Sequence, residues 1–221
     1  MRTRLLGTVA VAAFFSVVCL GMSDDKPAAT TDQKDDAKTS AVKAPEFTLH
    51  DLDGKTHALK DLKDKIIVLE WTNKDCPTWK GKMTLLTETA TKYTGKGVVW
   101  FHVDSTHNMK EADNREFMKK YKITVPVLVD RDGKVGRAFK AKTTPHMFII
   151  DKTGNIAYDG DIDNGEKGDK VVNYVSKALD ELLAGKPVTT AKTNPHGCTV
   201  KYAPASDKAP EKKEPADRKD H

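Results

Sequence analysis

The six residues Ile66-Ile-Val-Leu-Glu-Trp71 constrain the fold more than any other stretch of the chain. They run apolar without alternation up to Glu70, so a strand built here must hide both of its faces. Such a strand belongs inside a sheet with helices above and below it, the arrangement of an α/β protein. Val98-Val-Trp-Phe-His-Val103 and His146-Met-Phe-Ile-Ile150 are runs of the same kind and supply its neighbours. After the first run, Trp79, Met83, Leu86, Ala90 and Tyr93 recur at spacings of three and four, which predicts a helix over 77–93 that Gly95 and Gly97 end.

The remaining elements are shorter. Phe47-Thr-Leu-His50 and His57-Ala-Leu59, either side of Asp53-Gly54, predict an N-terminal β-hairpin. Lys110 to Tyr121, with Phe117, Met118 and Tyr121 clustered, predicts a surface helix, and Val125-Pro-Val-Leu-Val129 a short extended segment before a turn at Asp132-Gly133. Ile156-Ala-Tyr158 follows the third run through Asp151-Lys-Thr-Gly154, whose glycine suits a tight hairpin. Val171, Val175, Ala178 and Leu182 give a terminal helix stopped by Gly185 and Pro187. The order β, α, β, α, β, β, α predicts a central mixed sheet with helices on both faces.

Composition matters mainly at the ends. Arg2 and Arg4, an apolar run from Leu5 to Leu20, and acidic Asp24 and Asp25 have the layout of a signal peptide over 1–22, with Cys19 removed by cleavage. Residues 23–43 are almost free of apolar side chains and are expected to be a disordered linker. The packed domain is expected over 44–185, an extension carrying Cys198 over 186–202, and a disordered charged tail over 203–221. That tail balances Lys208, Lys212, Lys213, Arg218 and Lys219 against Asp207, Glu211, Glu214, Asp217 and Asp220, so it is not an electrostatic docking arm. Across the 221 residues, 37 Lys and Arg face 32 Asp and Glu, a net charge of +5 without the concentrated basic patch of a nucleic-acid binder. The expected location is extracytoplasmic, with membrane contact only through the signal peptide. Three cysteines are too few for a disulfide scaffold and lack the paired spacing of a structural zinc site.

Asp75-Cys76-Pro77 is the sharpest chemical feature. It falls where the first core strand ends and a helix begins, with Pro77 suited to the first helical position. The Cys76 sulfur then sits over unsatisfied N–H groups at the positive end of the helix dipole, which favours the thiolate, the nucleophilic form. About 70 residues later, Thr143-Thr144-Pro145 enters a core strand with a residue that cannot donate, a placement that a cis bond at Pro145 would explain. Glu70 is a carboxylate at the end of an apolar strand, read either as a buried acid or as a side chain exposed at the strand's end.

With both features in place, the stretch from Ala44 to Asp163 resembles the redoxin, peroxiredoxin-like (AhpC/TSA-like) branch of the thioredoxin superfamily. The residues that carry the likeness are APEFTLHDLDGK, IIVLEWTNKDCP, VPVLVDRDG and TTPHMFIIDKTGNIAYDG. The resemblance implies a thioredoxin-like α/β fold. It also implies that Cys76 is the attacking cysteine of the family's C-x-x-C motif, that Thr144-Pro145 is the cis-proline segment that packs against it and holds substrate backbone, and that Glu70 matches the buried acid that assists proton transfer.

Trp79 stands where the second motif cysteine would be, and Asn73 and Leu69 replace residues of the peroxiredoxin P-x-x-x-T-x-x-C pattern. Cys198, in Pro195-His-Gly-Cys-Thr-Val-Lys-Tyr202, resembles the G-C-x-x-K segment of exported members, and pairing with Cys76 would let a one-cysteine motif cycle. The expected function is thus an exported thiol-disulfide oxidoreductase or peroxiredoxin-like peroxidase. Its partners would be a protein thiol or disulfide, or a hydroperoxide, together with a thiol electron donor; neither cofactor nor metal is expected. The alternatives are a redox-inactive module or a copper-binding one that would use Cys76, His146, His196 and Cys198. Asp159-Gly-Asp-Ile-Asp163 lacks the glycine and glutamate of a calcium loop.

Overall fold

The computed structural model describes residues 42–204, so the expected signal peptide, nearly all of the linker and the charged tail beyond Pro204 lie outside the described residues. Chain order gives β1 (Thr48–His50), β2 (Thr56–Ala58), β3 (Ile67–Trp71), α1 (Pro77–Thr94), β4 (Val99–Asp104), α2 (Glu111–Lys120), β5 (Val127–Val129), α3 (Lys134–Phe139), β6 (Thr143–Thr144), β7 (His146–Ile150), β8 (Ile156–Gly160), α4 (Tyr174–Leu183) and β9 (Cys198–Thr199). The central sheet runs β5-β4-β3-β7-β8. β3 is parallel to β4 and antiparallel to β7, β4 is parallel to β5, and β7 is antiparallel to β8. This is the expected thioredoxin-like mixed sheet, with β1 and β2 as a separate hairpin.

β3 is buried at every residue because both of its faces are covered. Val68 faces Trp79, Leu86, Ala90 and Tyr93 of α1 and Val175, Ala178 and Leu179 of α4. Ile67, Leu69 and Trp71 face the other way, toward Phe47, Phe101, Phe139 and Phe148. The Trp71 ring lies 5.2 Å from Phe148 and 5.4 Å from Phe139, and its indole N–H donates to Ser105 at 3.1 Å. An indole can be buried this deeply because its one polar atom is satisfied.

Three features depart from the sequence reading. α3 is a helix where only the preceding turn is expected. It is held by the buried Asp130 carboxylate, which accepts the N–H groups of Val135 and Gly136 and thus satisfies its first turn. α4 begins at Tyr174, later than Val171, because Asn173 caps it through the N–H of Ser176. The packed unit also starts before Ala44: Val42 accepts the Ile156 N–H at 2.8 Å, and Lys43 bridges Asn155.

Candidate active site

The turn between β3 and α1 is pinned at each step. Thr72 continues the ladder by donating its N–H to the Val103 carbonyl. The Asn73 side chain accepts the Asp75 N–H at 2.7 Å and donates to Thr106 at 3.0 Å, while the Asn73 carbonyl accepts the Cys76 N–H. An asparagine that closes such a turn with its own side chain fixes where the following residue points. Cys76 is thereby the N-cap of α1, with Pro77 in the first turn, and its Sγ accepts the Trp79 N–H at 3.4 Å.

Cys76 is only 2% exposed. The Thr144–Pro145 bond is cis, and the Thr144 carbonyl oxygen lies 3.0 Å from Cys76 Sγ. β6 pairs antiparallel with β9, which sets Cys198 opposite Thr144, and Thr144 Oγ1 donates to the Cys198 carbonyl at 3.4 Å. The two thiols meet, with their sulfurs 2.7 Å apart. Cys76, Thr144, Pro145 and Cys198 therefore form one cluster, assembled from α1, the entry to β7 and a segment 122 positions beyond Cys76.

Burial by itself would push the Cys76 thiol up. Hydrogen bonds from Cys198 and Thr144, and from the backbone N–H groups of Trp79 and Cys198, outweigh it and hold the thiol at about 7. Cys198 moves the opposite way: its hydrogen bond to Cys76, burial and the neighbouring negative charge all raise it. Of the two thiols, Cys76 is therefore the more readily deprotonated, and Cys198 holds its proton longer.

Glu70 is not in this cluster. It is fully buried, which removes the reading of a carboxylate exposed at the strand's end. One oxygen accepts the Trp79 indole N–H at 2.6 Å and lies 3.2 Å from His102 Nδ1, and the other accepts the Trp100 indole N–H at 3.1 Å. Its link to Cys76 runs through Trp79, whose backbone N–H faces the sulfur and whose ring N–H faces the carboxylate. The residue in place of a second motif cysteine is therefore a bridge between the thiol and the acid, which no periodicity announces.

Of the side chains considered for copper, Cys76 and Cys198 meet, but both histidines are engaged elsewhere. His146 Nε2 lies 2.8 Å from Asp159, and its Nδ1 accepts the Lys142 N–H at 3.1 Å, so both ring nitrogens are engaged. His196 turns to Asp161 instead. Among the described residues, no group of three or more His, Cys, Asp or Glu side chains is arranged to hold a metal ion. Asp161 and Asp163 of the calcium-like stretch pair with Lys82 at 2.7 and 2.9 Å. Sequence reading missed Lys82, since a lysine among helical polar residues reads as solvated.

The chain matches the AhpC/TSA family over residues 41–159, a span that ends before Cys198. A "Thiol-disulfide oxidoreductase ResA" of Bacillus cereus is 33% identical over 113 residues, 51% of this chain and 64% of that protein, so the chain spans less than two thirds of that relative's length. The protein of the same name from Bacillus thuringiensis subsp. konkukian is 28% identical over 144 residues, 65% of this chain and 81% of that one. Among solved structures, an uncharacterized conserved protein from Geobacillus kaustophilus superposes with a TM-score of 0.69 at 26% identity, covering 75% of this chain and 93% of that one.

Proposed function

The chain belongs to the AhpC/TSA family, and from that premise we propose that it is an exported thiol-disulfide oxidoreductase with Cys76 as nucleophile and Cys198 as resolving cysteine. The observation that carries this reading is the 2.7 Å approach of the two sulfurs at the start of α1. The names of the Bacillus relatives support the reaction type. In the first step the Cys76 thiolate attacks one sulfur of a protein disulfide. The substrate's S–S bond breaks, a mixed disulfide forms, and the departing substrate sulfur takes a proton. Cys198, deprotonated in turn, attacks the Cys76 sulfur, releases the second substrate thiol and leaves a Cys76–Cys198 disulfide. Two electrons have then passed from the cysteine pair to the substrate, and an external thiol donor restores them.

Thr144 and Pro145 line the sulfur-exchange position, and Glu70 acts at one remove through Trp79. The N-terminal Arg2, Arg4 and apolar run direct export, to a compartment where disulfides persist. A hydroperoxide reaction on the same pair is disfavoured by Asn73 and Leu69, which break the peroxidase pattern.

Single-turnover reduction of insulin disulfides by the pre-reduced chain tests this. The expected result is loss of activity in Cys76→Ser and arrest as a mixed disulfide in Cys198→Ser. Undiminished reduction by Cys76→Ser, or hydrogen peroxide consumed much faster than disulfide, would overturn it.

A further inference from the structure

The segment that delivers Cys198 is fastened at two places, with a more lightly held span between them. On one side, Thr193 Oγ1 meets the Tyr158 hydroxyl and accepts the Asp161 N–H, and the Thr193 N–H donates to the Asp159 carbonyl. On the other, Val200 is buried in the core with its N–H on Lys142, and the Tyr202 ring stacks under Arg137 while its hydroxyl donates to Ala141. Between these anchors, residues 194–199 are half-buried or exposed.

Besides the two-pair β6–β9 ladder, the sulfur contact, the Thr144 hydroxyl on the Cys198 carbonyl and the hydrogen bonds of Thr78 to Cys198, this span is held by Asp161. Its Oδ2 accepts the His196 N–H at 3.1 Å and lies 3.1 Å from His196 Nδ1; its Oδ1 is gripped by Lys82. Lys82 is on α1, the helix that begins at Cys76. The carboxylate thus ties the span that carries one cysteine to the helix that carries the other. Gly197 fits the same closure, because a Cβ there would collide with the Thr144 carbonyl and press on the Pro145 nitrogen.

We infer that Lys82, Asp161 and His196 form a positioning latch for Cys198, and that Gly197 supplies the clearance that lets the latched span lie against Thr144–Pro145. The inference rests on the resolving role proposed for Cys198. Because the Cys198 sulfur fills the place beside Cys76 that an incoming sulfur needs, the span between the anchors must lift to admit substrate and return to resolve it. The latch sets how far that closure is favoured.

The test compares His196→Ala, His196→Asn and Gly197→Ala in the full chain. Asparagine places an amide N–H near the position of His196 Nδ1, so it restores the hydrogen bond that alanine removes. Two readouts are taken: the equilibrium of the Cys76–Cys198 disulfide against dithiothreitol, and the rate at which iodoacetamide alkylates Cys76, measured well above pH 7 so that access alone is read. His196→Ala is expected to weaken pairing and speed alkylation about five-fold, the effect of one lost hydrogen bond. Gly197→Ala is expected to do so by about ten-fold or more, and His196→Asn to lie near the original chain. His196 is largely exposed, with 78% of its side chain in solvent, so an unchanged thermal midpoint separates the latch from general loosening.

Alanine variants within two-fold of the original chain on both readouts would overturn the latch, as would an asparagine variant that behaves like alanine. If the original chain forms no Cys76–Cys198 bond while alkylation still follows the latch variants, the resolving role falls and the positioning stands.

Discussion

At the scale of single residues, the site is a competition between burial and hydrogen bonding around one sulfur. Burial opposes the Cys76 thiolate, and the donors around it win, holding the thiol near 7 against about 8.5 for a free cysteine. Alkylation of Cys76 should therefore rise with pH through a midpoint near 7, and in Cys198→Ala, which lacks a main donor, the midpoint should move up toward the free value. An unshifted midpoint in that variant would show that the donors lie elsewhere. Glu70 carries a stability prediction: Glu70→Leu leaves the Trp79 and Trp100 indole N–H groups buried without acceptors and should destabilise the fold by roughly 3 kcal/mol, read as a lower denaturant midpoint. Cys76 was legible because Pro77 marks a helix start directly after it, and Pro145 because a proline entering a core strand breaks a local rule. The burial of Glu70 was not, because the groups that satisfy it come from α1 and from β4, and only the folded register brings them together.

At the scale of elements, hydrophobic pattern located the cores of the long strands and α1: the stripe at spacings of three and four marks the helix, and the short length and β-branched or aromatic residues of the apolar runs mark them as strands. α3 was illegible for a physical reason. Its six residues, Lys134–Phe139, include Gly136, a poor helix former, and its hold on the molecule is tertiary: Asp130 at its start and Phe139 between Trp71 and Phe148. Phe139→Ala should accordingly cost about 3 to 5 kcal/mol in a denaturation experiment, as for other buried aromatics. α4 is governed more locally: Asn173→Ala removes its N-cap and should cost about 1 kcal/mol, whereas a loss indistinguishable from zero would mean that packing alone sets its start. β6 and β9, two residues each, carry no periodic signal, and their pairing is a long-range event.

At the scale of the whole molecule, charge shapes stability, and the proposed Cys76–Cys198 bond would add to it. Burial raises Asp51, Asp151 and Asp159, but hydrogen bonds outweigh it and leave all three below the ordinary carboxylate range: His57 and backbone N–H groups at Asp51, the Asn155 N–H and Thr153 at Asp151, and His146 with Lys192 at Asp159. A carboxylate lowered in the folded state lends stability above its unfolded pKa and loses it as pH falls, so the denaturant midpoint should decline between roughly pH 5 and pH 2. Asp130, raised chiefly by burial, works in the opposite sense and blunts the decline. Oxidation should act more strongly, since a bond between Cys76 and Cys198 closes a loop of 122 positions and can add up to about 5 kcal/mol by constraining the unfolded chain. The α/β architecture was legible from the sequence. The path of residues 186–202 was not, because it depends on contacts such as Thr193 with Tyr158 and Tyr202 with Arg137 that no local pattern encodes. The pairing itself is tested most directly by digesting the oxidised full chain under non-reducing conditions and weighing the peptides. A single linked species joining the Cys76 and Cys198 peptides within one chain is the predicted result; both peptides recovered separately as free thiols would contradict the account.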